Sequence, residues 1–336
     1  NFIKDLLAGI IIMAVSIPIS MGYAQIAGLP AVYGLYGSVF PILIFALFST
    51  SPQFIFGVDA APAALIGSAL LSLHIESGSE EAMAVVPVLT FFVALWLLAF
   101  YIMKAGKLVN YISAPVMGGF ITGICTTIIL MQVPKLMGGS AGTGEFFELA
   151  EHIIKTAKDI NWQSVVLGLA ALVLLLICKK LIPKFPMAVL LMIAGAGMTY
   201  LLPIEDWGVQ TLASVDTGLP RWTVPDFSVI SIREAVTISL SVAVVIMAET
   251  LLAENNFAQK NGYRINDNQE ILAFSMGNFL AAFTGCCPIN GSVSRTAMGE
   301  QYQAKTQLTG IIAGLSMIVV LVCATGFIGY LPSRRP

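Results

Sequence analysis

The sequence predicts an all-α polytopic membrane protein in which two spans are broken into half-helices near the bilayer midplane. Three observations carry this: an apolar composition, a series of long uncharged runs, and two Gly/Pro-interrupted segments that resemble each other. Of 336 residues, 57% are hydrophobic and 11% charged, against about 25% charged in a soluble domain, and the mean hydropathy is +0.87.

The uncharged runs come in order: Leu6 to Val58, Ala82 to Met103, Leu108 to Pro134, Ile160 to Cys178, Phe185 to Ile204, Ala235 to Ala248 and Thr306 to Ser333. Most exceed the roughly 20 residues that cross a hydrocarbon core. Together they predict ten or eleven segments. Alternating the spans from a cytoplasmic start puts nine basic residues on one side (Lys4, Lys104, Lys107, Lys179, Lys180, Lys184, Lys260, Arg264, Lys305) and five on the other (Lys135, Lys155, Lys158, Arg221, Arg233). Arg295 is left in the membrane, and Arg334 and Arg335 at the terminus. The bias predicts a cytoplasmic N-terminus in a cell (plasma or inner) membrane. The acidic loop Glu76 to Glu81 then faces outward, as does the stretch Gly138 to Asn161, whose Glu and Lys residues also fit a surface helix. The first apolar run carries Pro18, Gly22 and Tyr23 and continues into a second span, so no cleavable signal peptide is expected.

Several function classes are disfavoured. The five cysteines, Cys125, Cys178, Cys286, Cys287 and Cys323, lie mostly in apolar segments without metal-type spacing to His74 or His152, which read as loop residues. Structural packing is their expected role. No metal site or cofactor is expected. No nucleophile-base pair suggests an enzyme, and no basic patch suits nucleic acid.

The two interrupted segments follow one plan. Phe48-Ser49-Thr50-Ser51-Pro52 leads through Phe54-Ile55-Phe56-Gly57 to Asp59-Ala60-Ala61-Pro62-Ala63-Ala64. Phe283-Thr284-Gly285-Cys286-Cys287-Pro288 leads through Ile289-Asn290-Gly291 to Ser292-Val293-Ser294-Arg295-Thr296-Ala297. Each predicts a span, a turn, a few extended residues and a half-helix starting inside the bilayer. Such pairs point to a transporter site between inverted repeats, one starting near Asp5 and the other near Arg233. A half-helix start leaves N–H groups unpaired and carries about half a positive charge, so two facing starts make an anion cradle. The small residues Ala60, Ala61, Gly291 and Ser292 let an ion approach the backbone. The bland alternative is that these breaks merely kink packed helices, which membrane proteins tolerate.

Arg295 is the residue that weighs most. From Ile271 to Ser294 there is no other charge, so a guanidinium here costs several kcal/mol unless something negative or wet accompanies it. A cation in a first helical turn also opposes the helix dipole by about 0.3 to 1 kcal/mol, and a bound anion reverses that sign. The competing reading has Arg295 snorkelling to headgroups or pairing with a neighbouring carboxylate. Asp59 fits an N-cap, or a group that orients the site, balances Arg295 or binds a cation. Tyr23 follows a Pro/Ser/Gly-rich break and either lines the pocket or packs. Glu249 ends an uncharged run well past the bilayer centre; carrying a proton would let it sit there neutral, which makes proton coupling reasonable chemistry, while its structural alternative is the interface beside Glu254.

These residues resemble the sulfate permease family of anion transporters and exchangers, known in animals as solute carrier family 26. The resemblance covers essentially the whole chain, through Pro18 with Met21-Gly22-Tyr23-Ala24, Ala27-Gly28-Leu29-Pro30 with Val32-Tyr33-Gly34-Leu35-Tyr36, Gly57 with Asp59-Ala60-Ala61, and Gly291 to Thr296. It implies a fold of two inverted repeats of seven segments, with a core domain moving against a gate domain. It also implies a site between the third and tenth segments, a STAS-type regulatory domain after the last span, and a homodimer of the full-length protein. By residue match, Tyr23, Asp59, Ala60, Ser292, Val293, Ser294 and Arg295 fall at the substrate site, joined by Ala61 and Gly291 from the reading above. Glu249 falls where relatives carry an acidic residue linked to proton or sodium coupling.

Three departures stand out. Pro18 is followed by Ile19 where relatives generally have Gln, removing a side-chain donor that Ser20 need not replace. Val58 stands where Pro is common. The chain stops at Pro336, so a fragment is expected, with residues 1–204 as the first repeat, 205–232 as an extracellular connecting loop, 233–336 as an incomplete second repeat, and the STAS domain absent.

The leading function is secondary transport or exchange of a small anion, of the sulfate, bicarbonate, chloride or dicarboxylate class, with H+ or Na+ as a coupling ion. A nucleobase:cation symporter of related fold would need acidic side chains on both the eighth and tenth segments, and here the tenth offers Ser and Arg. An uncoupled anion channel is the remaining alternative.

Overall fold

The computed structural model describes residues 2–107, 114–139, 146–181 and 218–324, with isolated positions between 187 and 198. Most of the predicted span Phe185 to Ile204, residues 205–217 of the 205–232 loop, Lys184, and Arg334 and Arg335 lie outside the described residues. The described chain is mostly helical, and the one sheet among its residues has two strands of two residues each.

The chain divides into two compact units, Asn1–Gly118 with Gly218–Leu321, and Gly119–Thr217 with Val322–Pro336. In the first unit, α1 (Phe2–Ile26) is followed by the short α2 (Ala31–Tyr36) and α3 (Phe40–Phe48), then β1 (Phe56–Gly57), α4 (Ala60–Ser72) and α5 (Glu80–Ile102). Helix α6 (Ala114–Leu136) begins in this unit and continues into the second. Later in the chain the first unit adds α9 (Ile232–Asn261), α10 (Asp267–Phe283), β2 (Asn290–Gly291), α11 (Val293–Gln301) and α12 (Leu308–Val319). Helices Phe2–Ile26, Ala31–Phe48 taken as one, Glu80–Ile102 and Ile232–Asn261 are long and apolar enough to cross a membrane.

Local chemistry sets the boundaries. Ser79 caps α5 by accepting from the Ala82 amide at 3.1 Å, and Glu80 and Glu81 sit in its positive first turn. Asn266 caps α10 through the Gln269 amide. Helix α9 stops at Gly262, whose φ of 72° is the left-handed conformation that terminates helices. Pro18 and Pro87 lie inside α1 and α5, where each removes one backbone donor, a loss that packed membrane helices accommodate.

The core of the first unit gathers α3, α5 and α10 around β1. Phe56 of β1 lies near-parallel to Phe45 of α3 and Phe274 of α10, with centroids 4.7 and 5.5 Å away and planes within 13° and 9°, and those two rings are themselves 6.2 Å apart. Buried hydroxyls join helices as they do in lipid-embedded bundles: Ser275 donates to the Ala94 carbonyl at 2.8 Å, and Thr90 to that of Cys286 at 3.0 Å. At the chain's start, buried Asp5 accepts from the Lys305 amide and from Thr306 and Thr309 hydroxyls, which fixes α1 to the beginning of α12. Cys286 and Cys287 are buried free thiols, in keeping with a packing role.

In the second unit, α7 (Phe146–Thr156) is a surface helix carrying an exposed Glu151–Lys155 pair at 2.7 Å. It fulfils the helical alternative for the Gly138 to Asn161 stretch, and it places His152 on a helix instead of in a loop. Asn161 caps α8 (Trp162–Leu181) by accepting from the Ser164 amide. Leu172, Val173, Leu176 and Ile177 of α8 are exposed, as befits a lipid-facing surface.

Candidate functional site

Both sequence breaks form as expected, and they meet. Strand β1 pairs antiparallel with β2, Phe56 opposite Gly291 and Gly57 opposite Asn290. Two further bonds tie the crossing: the Ser292 amide donates to the Ile55 carbonyl at 2.9 Å, and the Ile55 amide to Thr296 Oγ1 at 3.0 Å. From this short ladder α4 and α11 depart, of 13 and 9 residues, both too short to cross a bilayer. Backbone polarity is thereby satisfied inside the protein, the condition for non-helical chain at membrane depth.

Each start is prepared by its sequence. Asp59 is the N-cap of α4, extended at φ −141°, and its carboxylate accepts from the Ala60 amide at 2.7 Å. Ser292 is the N-cap of α11, without a side-chain bond to that helix's amides, and its hydroxyl lies 3.3 Å from that of Ser294. Ala60, Ala61, Gly291 and Ser292 are buried, whereas Val293 and Ser294 are exposed at the tip of α11. Tight space explains the glycines. A Cβ on Gly57 would stand 2.9 Å from Arg295 Nη1, and one on Gly291 would stand 2.2 Å from the Phe54 ring and 2.5 Å from Thr250.

Arg295 is completely buried, 0% exposed. Its Nη2 donates to the Val58 carbonyl and lies 3.6 Å from Asp59 Oδ2. The neighbouring-carboxylate alternative is therefore realised in part: Asp59 supplies a countercharge, at more than hydrogen-bond length. Nε and Nη1 of the same guanidinium meet no acceptor among the described residues. A buried donor left unmade costs about 1–3 kcal/mol, so the site holds two unspent donors beside two half-helix starts. Tyr23, half-buried on α1, is within electrostatic reach of Arg295.

Glu249 sits half-buried on α9 and accepts from Asn290 Nδ2 at 2.9 Å, while Thr250 Oγ1 accepts from the Gly291 amide at 3.1 Å. Asp59 is within electrostatic reach of Glu249. Glu249 is turned to the strand crossing, where Asn290 meets it. Ser20 faces Ser38 at 2.9 Å and is fully buried. All the sequence-derived candidates thus lie in the first unit. Sequence reasoning gave no site role to Val58, Thr250, Asn290 or Thr296, whose contacts depend on strand pairing between distant segments. The Asn290-Gly291 dipeptide before a helix start was the one available signal.

The family model described as "Sulfate permease family" matches residues 2–334. A probable sulfate transporter of Mycobacterium tuberculosis is 29% identical over 328 residues, covering 98% of this chain and 58% of its own length. Human solute carrier family 26 member 6 is 26% identical, with 95% and 45% covered. Among solved structures, murine solute carrier 26 family member A9, an anion transporter in the inward-facing state, gives a TM-score of 0.85 at 23% identity, covering 98% of this chain and 57% of that one. The transmembrane domain of a cyanobacterial bicarbonate transporter, BicA, gives 0.83 at 20%, covering 99% and 85%. The chain spans about half the length of most curated relatives it matches. Fold and sequence agree with the motif resemblance, and the chain belongs to the sulfate permease family.

Proposed function

We propose that this chain is the membrane part of a secondary transporter or exchanger for a small anion of the sulfate, bicarbonate, chloride or dicarboxylate class. The observation that carries the reading is Arg295: a buried guanidinium in the first turn of a half-helix, with two donor atoms uncommitted. An anion at the two half-helix starts would accept from those donors and from the Ser294 hydroxyl, and would turn the unfavourable cation at a helix start into a favourable one. Tyr23, Ala60, Ala61, Gly291, Ser292 and Val293 would shape the cavity. Backbone N–H groups and a guanidinium discriminate weakly among small anions, so desolvation and cavity size set the choice.

Glu249 is the coupling carboxylate in this account, linked to the crossing through Asn290. A proton or sodium ion taken up there would offset its charge beside Asp59. Residues 1–204 form the first repeat, 205–232 an extracellular connection and 233–336 part of the second. The N-terminus is cytoplasmic in the plasma or inner membrane, and the full-length protein is a homodimer.

The test is uptake of a labelled anion into proteoliposomes, competed by sulfate, bicarbonate, chloride, nitrate and dicarboxylates, with and without proton and sodium gradients. Saturable, competed uptake supports the reading. Currents far above carrier turnover would replace it with a channel, and absence of anion-dependent flux under every condition would remove it.

A further inference from the structure

More than one helical turn beyond Glu249, α9 carries another carboxyl group, Glu254, that the anion site does not use. Glu254 and Glu270, the latter in the first turn of α10, are both fully buried. Glu270 is well supplied with donors: Ser49 Oγ at 2.8 Å, the Thr50 amide and Oγ1 at 2.5 Å each, and the Ser51 amide at 3.1 Å. Three of these donors fall on Oε1 and one on Oε2, the bonding of an ionised carboxylate, and Oε2 keeps a lone pair for one more donor. Glu254 faces that carboxylate within hydrogen-bonding reach, yet neither of its oxygens meets a donor from any described residue.

Among the described residues no cation faces the pair. Asp267 of α10 and Tyr263 of the α9–α10 connection are the other titratable groups facing Glu254. Helices α4 and α5, which also pack on α9, place no titratable group against it. Among the described residues no ion pair involves Glu254 or Glu270. A second negative charge, on Glu254, would keep a desolvation cost of several kcal/mol that no donor or cation among the described residues offsets.

We infer that Glu254 and Glu270 form a proton-binding site separate from the anion site, a carboxylic acid–carboxylate pair in which Glu254 holds the proton and donates it to Glu270. The direction follows from the donors: Glu270 already has the bonds of an anion, and Glu254 has none. A metal or sodium ion fits poorly, because the groups around Glu270 point hydrogens, not lone pairs, at it. The pair also reaches the site's scaffold. Ser49 to Ser51 is the turn from α3 towards β1, and Gln307 Nε2 binds the Ser51 and Phe54 carbonyls at 2.7 and 2.9 Å. Loss of the proton would therefore push on the segment that delivers β1 to the crossing.

The experiment is an infrared pH titration of the chain in lipid nanodiscs, paired with thermal unfolding midpoints at about pH 6 and about pH 9. Wild type should show a protonated-carboxyl C=O band at neutral pH that E254Q loses and E249Q retains. A proton held only in the folded state makes stability fall as pH rises. The wild-type midpoint should therefore drop towards high pH, and E254Q, whose carboxamide keeps a donor towards Glu270, should lose most of that drop. Should E254Q not be recovered folded, Glu254→Leu carries the same two readouts. Survival of the band in the variant, or an equal pH-dependent drop, overturns the proposal. So does a sodium-dependent rise in midpoint at fixed pH that E254Q abolishes, since it would place a cation where the proton is assigned.

Discussion

Arg295, on the second half-helix, lies 3.6 Å from the carboxylate of Asp59, which caps the first. One guanidinium thus faces both helix starts, and one carboxylate limits how electropositive their meeting place becomes. At an effective dielectric near 20, opposite charges at this separation interact by roughly 4 kcal/mol. That is enough to hold the guanidinium in place and to compete with an arriving anion.

Asp59→Asn separates those two effects. Asparagine is as good an N-cap as aspartate, so α4 should remain intact while the competing charge disappears. Anion affinity should rise by about tenfold, equal to about 1.4 kcal/mol, read by equilibrium binding of labelled anion. A fall in affinity with an unchanged thermal midpoint would mean that Asp59 helps to hold the substrate.

Gly57→Ala tests the space beside the guanidinium. The new methyl would stand 2.9 Å from Arg295 Nη1, closer than side-chain atoms normally pack. The guanidinium must shift, and uptake should fall by at least about tenfold while stability changes by only about 1 kcal/mol. Wild-type uptake by a folded Gly57→Ala protein would show that the position of Nη1 is unimportant.

Glu249→Gln keeps an acceptor for Asn290 Nδ2 but removes the charge and the titratable proton. Anion exchange should persist, and stimulation by a proton or sodium gradient should disappear. Undiminished gradient-driven uptake would take Glu249 out of the coupling role.

Asp5→Asn addresses the fold alone. The carboxylate accepts three bonds where α1 meets the start of α12, and an amide would turn donors against donors. A loss of roughly 1–3 kcal/mol is expected, seen as a lower thermal midpoint with uptake per folded protein unchanged. A midpoint equal to wild type would mean that this junction contributes nothing to stability.

Much of this geometry was legible in the chain. Gly57-Val58-Asp59 and Gly291-Ser292-Val293 mark helix starts because glycine and a capping residue precede small or polar first turns, and Arg295 stands out as a lone charge in an apolar stretch. What could not be read was pairing. Two-residue strands have no periodicity, so the register of Phe56 with Gly291 leaves no pattern in sequence. Everything that hangs on that register was hidden with it: Val58 as acceptor for Arg295, Asn290 as donor to Glu249, and Thr296 as acceptor for Ile55. Glu254 was hidden for a different reason. A charge near a helix end reads as interfacial, and only packing shows that it is buried against a second carboxylate.

The central claim is that Arg295 keeps donors in reserve for an anion at the crossing of the half-helices. Equilibrium binding of the best competitor from the anion panel to purified wild type and Arg295→Ala, with thermal midpoints measured in the absence of anion, tests it most directly. The account predicts at least about a hundredfold loss of affinity, or about 2.7 kcal/mol, in a variant that remains folded. Anion binding of wild-type strength to folded Arg295→Ala would contradict it.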